Sequence, residues 1–243
     1  MILLTGGLGY IGSHLVISLL AKGYHVVIVD NLSNCSLGRL EAIRSILVEI
    51  ESEDALGGLF FYQVDIRDRG AMESVFEQHC FDLVIHLAAL KSVSESLSSP
   101  SAYLSNNVAG TTTLLAMCIE FGVNRFIFSS TAALYATSGC LPYKESSDIA
   151  PNSFYAVTKM LSEYELEILS QRFHHFKPII MRFFNPVGSM WRDERLFDGW
   201  LGGADNLFPI LRNCVLNKKP FGIFGNDYDT VDGSPERDYI HIS

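Results

Sequence analysis

The chain has 243 residues, 48% hydrophobic and 19% charged, with a formal net charge of −9. That is a globular composition, long enough for one substantial domain and part of another. The acidic balance argues against nucleic-acid and anionic-membrane partners, and no apolar run reaches the length of a bilayer span, but a local basic groove for a phosphorylated small molecule remains open.

The opening "MILLTGG" has neither the basic n-region nor the cleavage site of a signal peptide; it predicts a strand over 2–4 and then a glycine loop. In "LLTGGLGYIGSHL", Gly6, Gly9 and Gly12 stand at G-x-x-G-x-x-G spacing between that strand and a helix predicted over 10–22. The first glycine allows the tight turn, the second a close backbone approach to a pyrophosphate, and the third close helix–strand packing. The helix N-terminus supplies free N–H groups and positive partial charge. The second strand, 25–29, runs into Asp30 about 20 residues past the loop. A carboxylate there accepts both hydroxyls of an adenine ribose and repels a 2′-phosphate, which favours NAD over NADP.

A helix over 36–51 and a strand over 59–64 follow, the strand ending in "VDI". Asp65 is placed to accept from an adenine amine and Ile66 to cover the ring. The remaining elements are a helix over 69–79, strands over 82–88, 125–130 and 178–184, and helices over 101–121 and 153–173. The strands are nearly continuous in hydrophobicity, as suits a parallel sheet covered on both faces. Strand–helix repetition of this kind predicts an α/β fold, a doubly wound parallel sheet of the Rossmann type.

"IFSSTAALY" ends the fifth strand, so Ser129, Ser130 and Thr131 fall where ligands meet such sheets. Tyr155 and Lys159 lie one helical turn apart on the next helix and face the same way. A neighbouring ammonium favours a tyrosine phenolate, and Thr131 can hold or relay the proton of a reacting hydroxyl. Y-x-x-x-K alone is ordinary helix surface; joined to the glycine loop and Asp30 it predicts a catalytic set. After Asn185 a Gly- and Asp-rich loop containing Trp191 and Trp200 reads as a lid or a partner surface. A helix over 206–217 and a strand at "FGIFG" then suggest the start of a smaller substrate-binding part. The five scattered cysteines (35, 80, 118, 140, 214) read as reduced, buried thiols of a cytoplasmic protein. The seven histidines show no metal spacing: His86 reads as core, and His174 and His175 as surface.

The motifs "TGGLGYIGSH", "VDNLSN", "VIHLAALKSVSES", "NNVAGT", "FIFSSTAALY", "SFYAVTK", "MRFFNPVG" and "IFGNDYDTVDGSPERDYIH" run in order along nearly the whole chain. It resembles the extended short-chain dehydrogenase/reductase superfamily and, within it, the UDP-glucose 4-epimerase (UDP-galactose 4-epimerase) family. The resemblance implies reversible epimerisation at C4 of UDP-glucose and UDP-galactose, in galactose metabolism, through a 4-keto sugar and tightly bound NAD. The spacing of Leu161, Tyr164 and Ile168 marks an apolar helix face of the kind that is most often core, but the resemblance also implies a homodimer, for which that face offers an interface. Tyr155 would be the base, Lys159 its partner and Thr131 the family's Ser/Thr.

In the same family, Tyr10 and Ile11 would meet the cofactor at the phosphate loop, and Asn31 and Asn34 would join Asp30 at its adenosine. Leu87, Ala88, Ala89 and Lys91 would line it, Asn106 support it, and Phe184 lie near the nicotinamide. Asn185, Asn206, Ile223, Phe224 and Arg237 match UDP-sugar positions, which Lys91 and Thr131 also border. Ala136 and Ala156 stand where family members commonly have Gly. The resemblance divides the chain into a cofactor domain over 1–184 and a partial UDP-sugar region over 185–243, since the family continues beyond "DYIH". Another NAD-dependent nucleotide-sugar epimerase or dehydratase, or an inactive NAD-binding homologue, stays open; Ala132 and Ala133 count against a dehydratase, which needs an acid/base pair beside Thr131.

Overall fold

The computed structural model describes residues 1–136, 141–199, 206–223 and 225–243. Strands β1 (Ile2–Thr5), β2 (Val26–Asp30), β3 (Leu59–Gln63), β4 (Leu83–His86), β5 (Arg125–Thr131) and β6 (Lys177–Phe183) form one parallel sheet. The spatial order is β3-β2-β1-β4-β5-β6. Alternation along β1 explains the double cover: Leu3 joins one buried cluster, while Ile2 and Leu4 join the other. On the Ile2 side pack α1 (Tyr10–Ala21) and α2 (Leu37–Glu49), through Val16, Ile17, Ile43 and Ile46. On the Leu3 side pack α3 (Arg69–Gln78), a central helix and a long helix described below, through Met72, Phe76, Leu115 and Leu166.

The chain runs outward from β1 to β3 and then returns to the centre as β4, so the order reverses between β1 and β4. Register brings the carboxyl ends of the strands to one edge: Thr5 pairs with Val29 and His86, His86 with Phe128, and Thr131 with Phe183. In sheets of this kind the ligand crevice lies at that edge, at the reversal.

The helix expected over 101–121 is broken, and an unexpected one precedes it. α4 (Val93–Ser98) is capped by Ser92, whose hydroxyl accepts from Glu95 N at 3.3 Å. α5 (Pro100–Tyr103) then leads through a π-turn at Leu104–Ala109 into the central helix α6 (Gly110–Glu120). The extra residue of the π-turn aims Asn107 at the chain after β4. Its side chain pairs with both backbone groups of Leu90, accepting from N at 2.8 Å and donating to O at 2.9 Å.

The long helix is α7 (Phe154–Arg172), with Ser153 Oγ accepting from Ala156 N at 3.2 Å. After β6, β7 (Asn185–Val187) and α8 (Leu207–Leu216) follow, and β8 (Tyr239–His241) pairs in parallel with β7 in a sheet of its own. That pairing was not expected. The strand expected at "FGIFG" is absent among the described residues: Ile223 is 74% exposed, Gly225 sits at φ +87, and no neighbouring strand is there to bond it. Trp191 is partly buried and packs on His14 at 5.7 Å rather than forming a lid or free surface; Trp200 lies outside the described residues. Cys35 and Cys118 are buried as expected, Cys214 is half-buried and Cys80 exposed, and Cys140 lies outside the described residues.

Candidate active site

The phosphate loop is built from absences of side chain. Gly6 takes φ +69, and a Cβ there would stand 2.7 Å from Ala88 N. A Cβ on Gly12 would stand 2.4 Å from Gly6 O, and one on Gly9 3.0 Å from the same oxygen. α1 starts after Gly9 with no side-chain cap, whereas α2, α3 and α7 are capped by Ser36, Asp68 and Ser153. Free N–H groups at a positive dipole end, above a backbone that no side chain shields, fit the pyrophosphate of a dinucleotide.

Asp30 is buried, and its carboxylate is held by Leu8 N and Leu32 N, both at 3.0 Å, and by Cys35 Sγ at 3.3 Å. Asp30, Asn31, Asn34, Ile66, Ala88 and Asn106 border a small cavity of about 60 Å³ beside the loop. Asp65 does not border it. Arg67 grips its carboxylate in a fork at 2.8 and 2.7 Å, and Asn31 donates to it at 3.0 Å. The Arg67 guanidinium holds that carboxyl far below the usual range. The oxygens expected to meet an adenine amine are engaged in this structure, and Asp65 braces Asn31 at the cavity wall.

A larger cavity of about 440 Å³ shares Gly6, Gly9, Asn34, Leu87 and Ala89 with the first, so the two form one cleft. Its walls include Tyr10, Ile11, Gly12 and Lys91 on one side. Thr131, Tyr155, Lys159, Phe184, Asn185 and Asn206 complete it. Two expected residues are not brought to the cleft: Ile223 is exposed, and Arg237 is exposed with Nη1 on Glu236 O at 2.8 Å. Phe224 lies outside the described residues.

Tyr155 and Lys159 enter the larger cavity from α7, opposite the end of β5. Burial pushes the Tyr155 phenol up to about 12, while its hydrogen bond with Thr131 pulls the other way. Lys159 is 3% exposed; its Nζ donates to Ser129 O at 2.7 Å and lies 4.7 Å from the Phe128 ring centre. Burial brings it down to about 7, against the Glu163 carboxylate, which favours the charged form. Glu163 lies one turn further along α7. It accepts from the Ser130 hydroxyl and pairs with Arg182 at 3.1 and 2.7 Å. The Ser130 hydroxyl is therefore tied to Glu163, while Ser129 and Thr131 line the cavity beside it.

His86 is core, as its strand position implied. Thr111 Oγ1 donates to Asn107 O at 2.6 Å and so accepts from His86 Nε2 at 2.9 Å. Nδ1 is then the acceptor for Thr5 Oγ1 at 2.7 Å, and burial keeps the ring neutral, down to about 3. Among the described residues no cluster of His, Cys, Asp and Glu is arranged to hold a metal ion.

Three features escaped the sequence. Asp198 pairs with Lys91 at 3.1 Å and accepts from Asn206 at 2.7 Å, across the larger cavity. The Glu163–Arg182 pair backs the reacting residues. Arg39 is buried under the phosphate loop, and it did leave a signal: Arg39, Ala42, Ile43 and Ile46 occupy i, i+3, i+4 and i+7, which puts a cation on an apolar stripe.

The sequence model described as "NAD dependent epimerase/dehydratase family" matches residues 2–243. The chain belongs to that family. Its similar members include UDP-glucose 4-epimerase 2 of Arabidopsis thaliana, 39% identical over 99% of this chain and 67% of the relative. UDP-glucose 4-epimerase of Erwinia amylovora is 40% identical over 99% of this chain and 69% of its own. Against UDP-glucose 4-epimerase 2 of rice the covered share of the relative is 58%, so the chain spans between 58% and 69% of these epimerases.

Two solved epimerases superpose on it with a TM-score of 0.90 at 35% identity, each covering 99% of this chain. One, from Stenotrophomonas maltophila, holds NAD and formylated UDP-arabinopyranose; this chain spans 69% of it. The other, from Bifidobacterium longum, is in complex with NAD+ and UDP; this chain spans 70% of it. Among the described residues no helix is long and apolar enough to cross a membrane.

Proposed function

We propose that this chain carries the cofactor-binding and reacting part of a UDP-hexose 4-epimerase, an isomerase that interconverts UDP-glucose and UDP-galactose with tightly bound NAD in galactose metabolism. The observation that carries the reading is the meeting of Thr131, Tyr155 and Lys159 in one cleft with the bare glycine loop, Asn185 and Asn206. Residues 1–184 would form the NAD domain and 185–243 the first part of the UDP-sugar region. The glycine loop and the N-terminus of α1 would hold the pyrophosphate; Asp30, Asn31 and Asn34 would hold the adenosine ribose.

Asp30 gives this site its preference for NAD, since a second anion beside its fixed carboxylate is repelled. Bound NAD would supply the hydride acceptor and donor for C4 of the sugar, so that the sugar would pass through a 4-keto form and be reduced again on its opposite face. Tyr155 Oη takes the proton of the 4-hydroxyl and gives it back, while Thr131 Oγ1 holds the reacting oxygen. A phenol at about 12 needs a cation beside it to work near neutrality, and Lys159 is the cation within one helical turn. Glu163 supports that role by favouring the ammonium. Lys91, Asn185 and Asn206 would hold the nucleotide end of the sugar while the hexose turns.

A homodimer is proposed through the exposed Leu161, Tyr164 and Ile168 of α7, which leave an apolar stripe on its outer side. The scattered free thiols favour a cytoplasmic setting. A dehydratase reading is disfavoured by Ala133, which stands at the cavity wall where an acid/base side chain would be needed.

The test is incubation of the full-length protein with UDP-galactose, with product analysis by NMR. UDP-glucose as product supports the reading. A dehydrated 4-keto product, or no turnover by protein that retains NAD, counts against it.

A further inference from the structure

Arg39 has no place in the reading above, yet it is a nearly buried cation at the edge of the cleft. It is 5% exposed on the apolar face of α2, and a buried guanidinium is costly unless its charge is matched. Both of its hydrogen bonds go to carbonyl oxygens: Nη1 to Leu8 O at 3.3 Å and Nη2 to Phe197 O at 2.8 Å. Nε is buried with no partner. The nearby carboxylates are committed elsewhere: Asp30 accepts from Leu8 N, Leu32 N and Cys35, and Asp198 from Lys91 and Asn206. Neither makes an ion pair with Arg39. The same side chain borders the larger cavity beside Gly9, Tyr10 and Asn34. A buried cation at the phosphate loop that no carboxylate touches is complementary to an anion with several acceptor oxygens.

We propose that Arg39 is a phosphate-binding residue of the dinucleotide site, supplying to the cofactor's pyrophosphate the full positive charge that the neutral N–H groups of α1 lack. The proposal rests on the reading of the cleft as a dinucleotide site. It differs from a purely structural role, in which Arg39 would only strap residue 197 to the phosphate loop through its two carbonyl contacts.

Two ligands separate these roles in the nucleotide-stripped, full-length protein, with binding followed by calorimetry and folding checked by thermal unfolding. ADP-ribose carries the pyrophosphate and adenosine does not. Arg39→Gln is expected to weaken ADP-ribose by about tenfold or more, the loss of a charged hydrogen-bond donor, and to leave adenosine within about twofold. Arg39→Lys cannot span both carbonyls but keeps the charge, and is expected to stay within about fivefold of wild type for ADP-ribose.

Equal losses for adenosine and ADP-ribose, or a Lys variant that loses as much as Gln, would show a strap and overturn the proposal. If Arg39→Gln does not fold, the Lys variant alone decides. ADP-ribose binding indifferent to Arg39 sinks the proposal and leaves the cofactor reading standing. Wild-type protein that binds neither NAD nor ADP-ribose sinks both.

Discussion

Replacing Lys159 with methionine tests the electrostatics of the site without any substrate. Burial brings the Lys159 ammonium from its ordinary 10.5 down to about 7. Between those values the unfolded chain binds a proton that the native protein does not. Wild-type stability therefore rises with pH across that window, by at most about 1.4 kcal/mol per pH unit. The penalty is complete below about pH 7 and gone above 10.5. A methionine side chain cannot titrate, so the stability of Lys159→Met relative to wild type is greatest at pH 7 and falls by about 2 kcal/mol by pH 9. Losing the bond to Ser129 O costs the variant about 1–3 kcal/mol at every pH, which shifts the curve and leaves its slope. Urea unfolding of both nucleotide-free proteins at pH 7, 8 and 9 reads the difference directly; in melting temperature it amounts to roughly 4–8 °C. A stability difference that does not change between pH 7 and 9 would mean that the native lysine keeps its ordinary pKa, and the account of its burial beside the cleft would fail.

Other outcomes follow from the same geometry. Tyr155→Phe removes the proton acceptor and should lower turnover by about 10²-fold or more while NAD stays bound, as read by rates and by the nucleotide released on denaturation. Gly12→Ala places a Cβ 2.4 Å from Gly6 O; the backbone must shift, and the purified variant should carry little dinucleotide and unfold earlier. Asp30→Ser removes the carboxylate facing the ribose and should narrow the preference for NAD over NADP in binding titrations, at about 1–3 kcal/mol in stability for the two backbone N–H groups left behind. Glu163→Leu leaves Arg182 without its partner and should cost about 3 kcal/mol in urea unfolding; no loss would show the pair to be incidental.

The parts of the site that were legible in the sequence are those fixed by short-range patterns. Apolar runs as long as a strand marked all six strands of the sheet. The glycine spacing marked the loop, because each glycine stands where a Cβ would strike backbone a few residues away or on the next strand. Tyr155 and Lys159 were legible because one turn of helix relates them.

The rest depends on contacts that sequence spacing does not encode. A π-turn differs from a helix by one residue and is held here by Asn107 reaching Leu90. β7 and β8 are three residues each, too short for a period, and meet across more than fifty positions. Arg67 beside Asp65 was visible as a residue, but its fork onto that carboxylate exists only in three dimensions. Lys159 at about 7 is a consequence of burial, which spacing does not report. Ile223 and Arg237 were matched by motif alone, and neither borders the cleft in this structure.

The most direct test of the epimerase reading uses UDP-galactose carrying deuterium at C4, incubated with the full-length protein in ordinary water. Hydride removal and return within one closed site predicts UDP-glucose with the label still at C4. UDP-glucose that has lost the label to solvent, or label found elsewhere in the sugar, would contradict the reading.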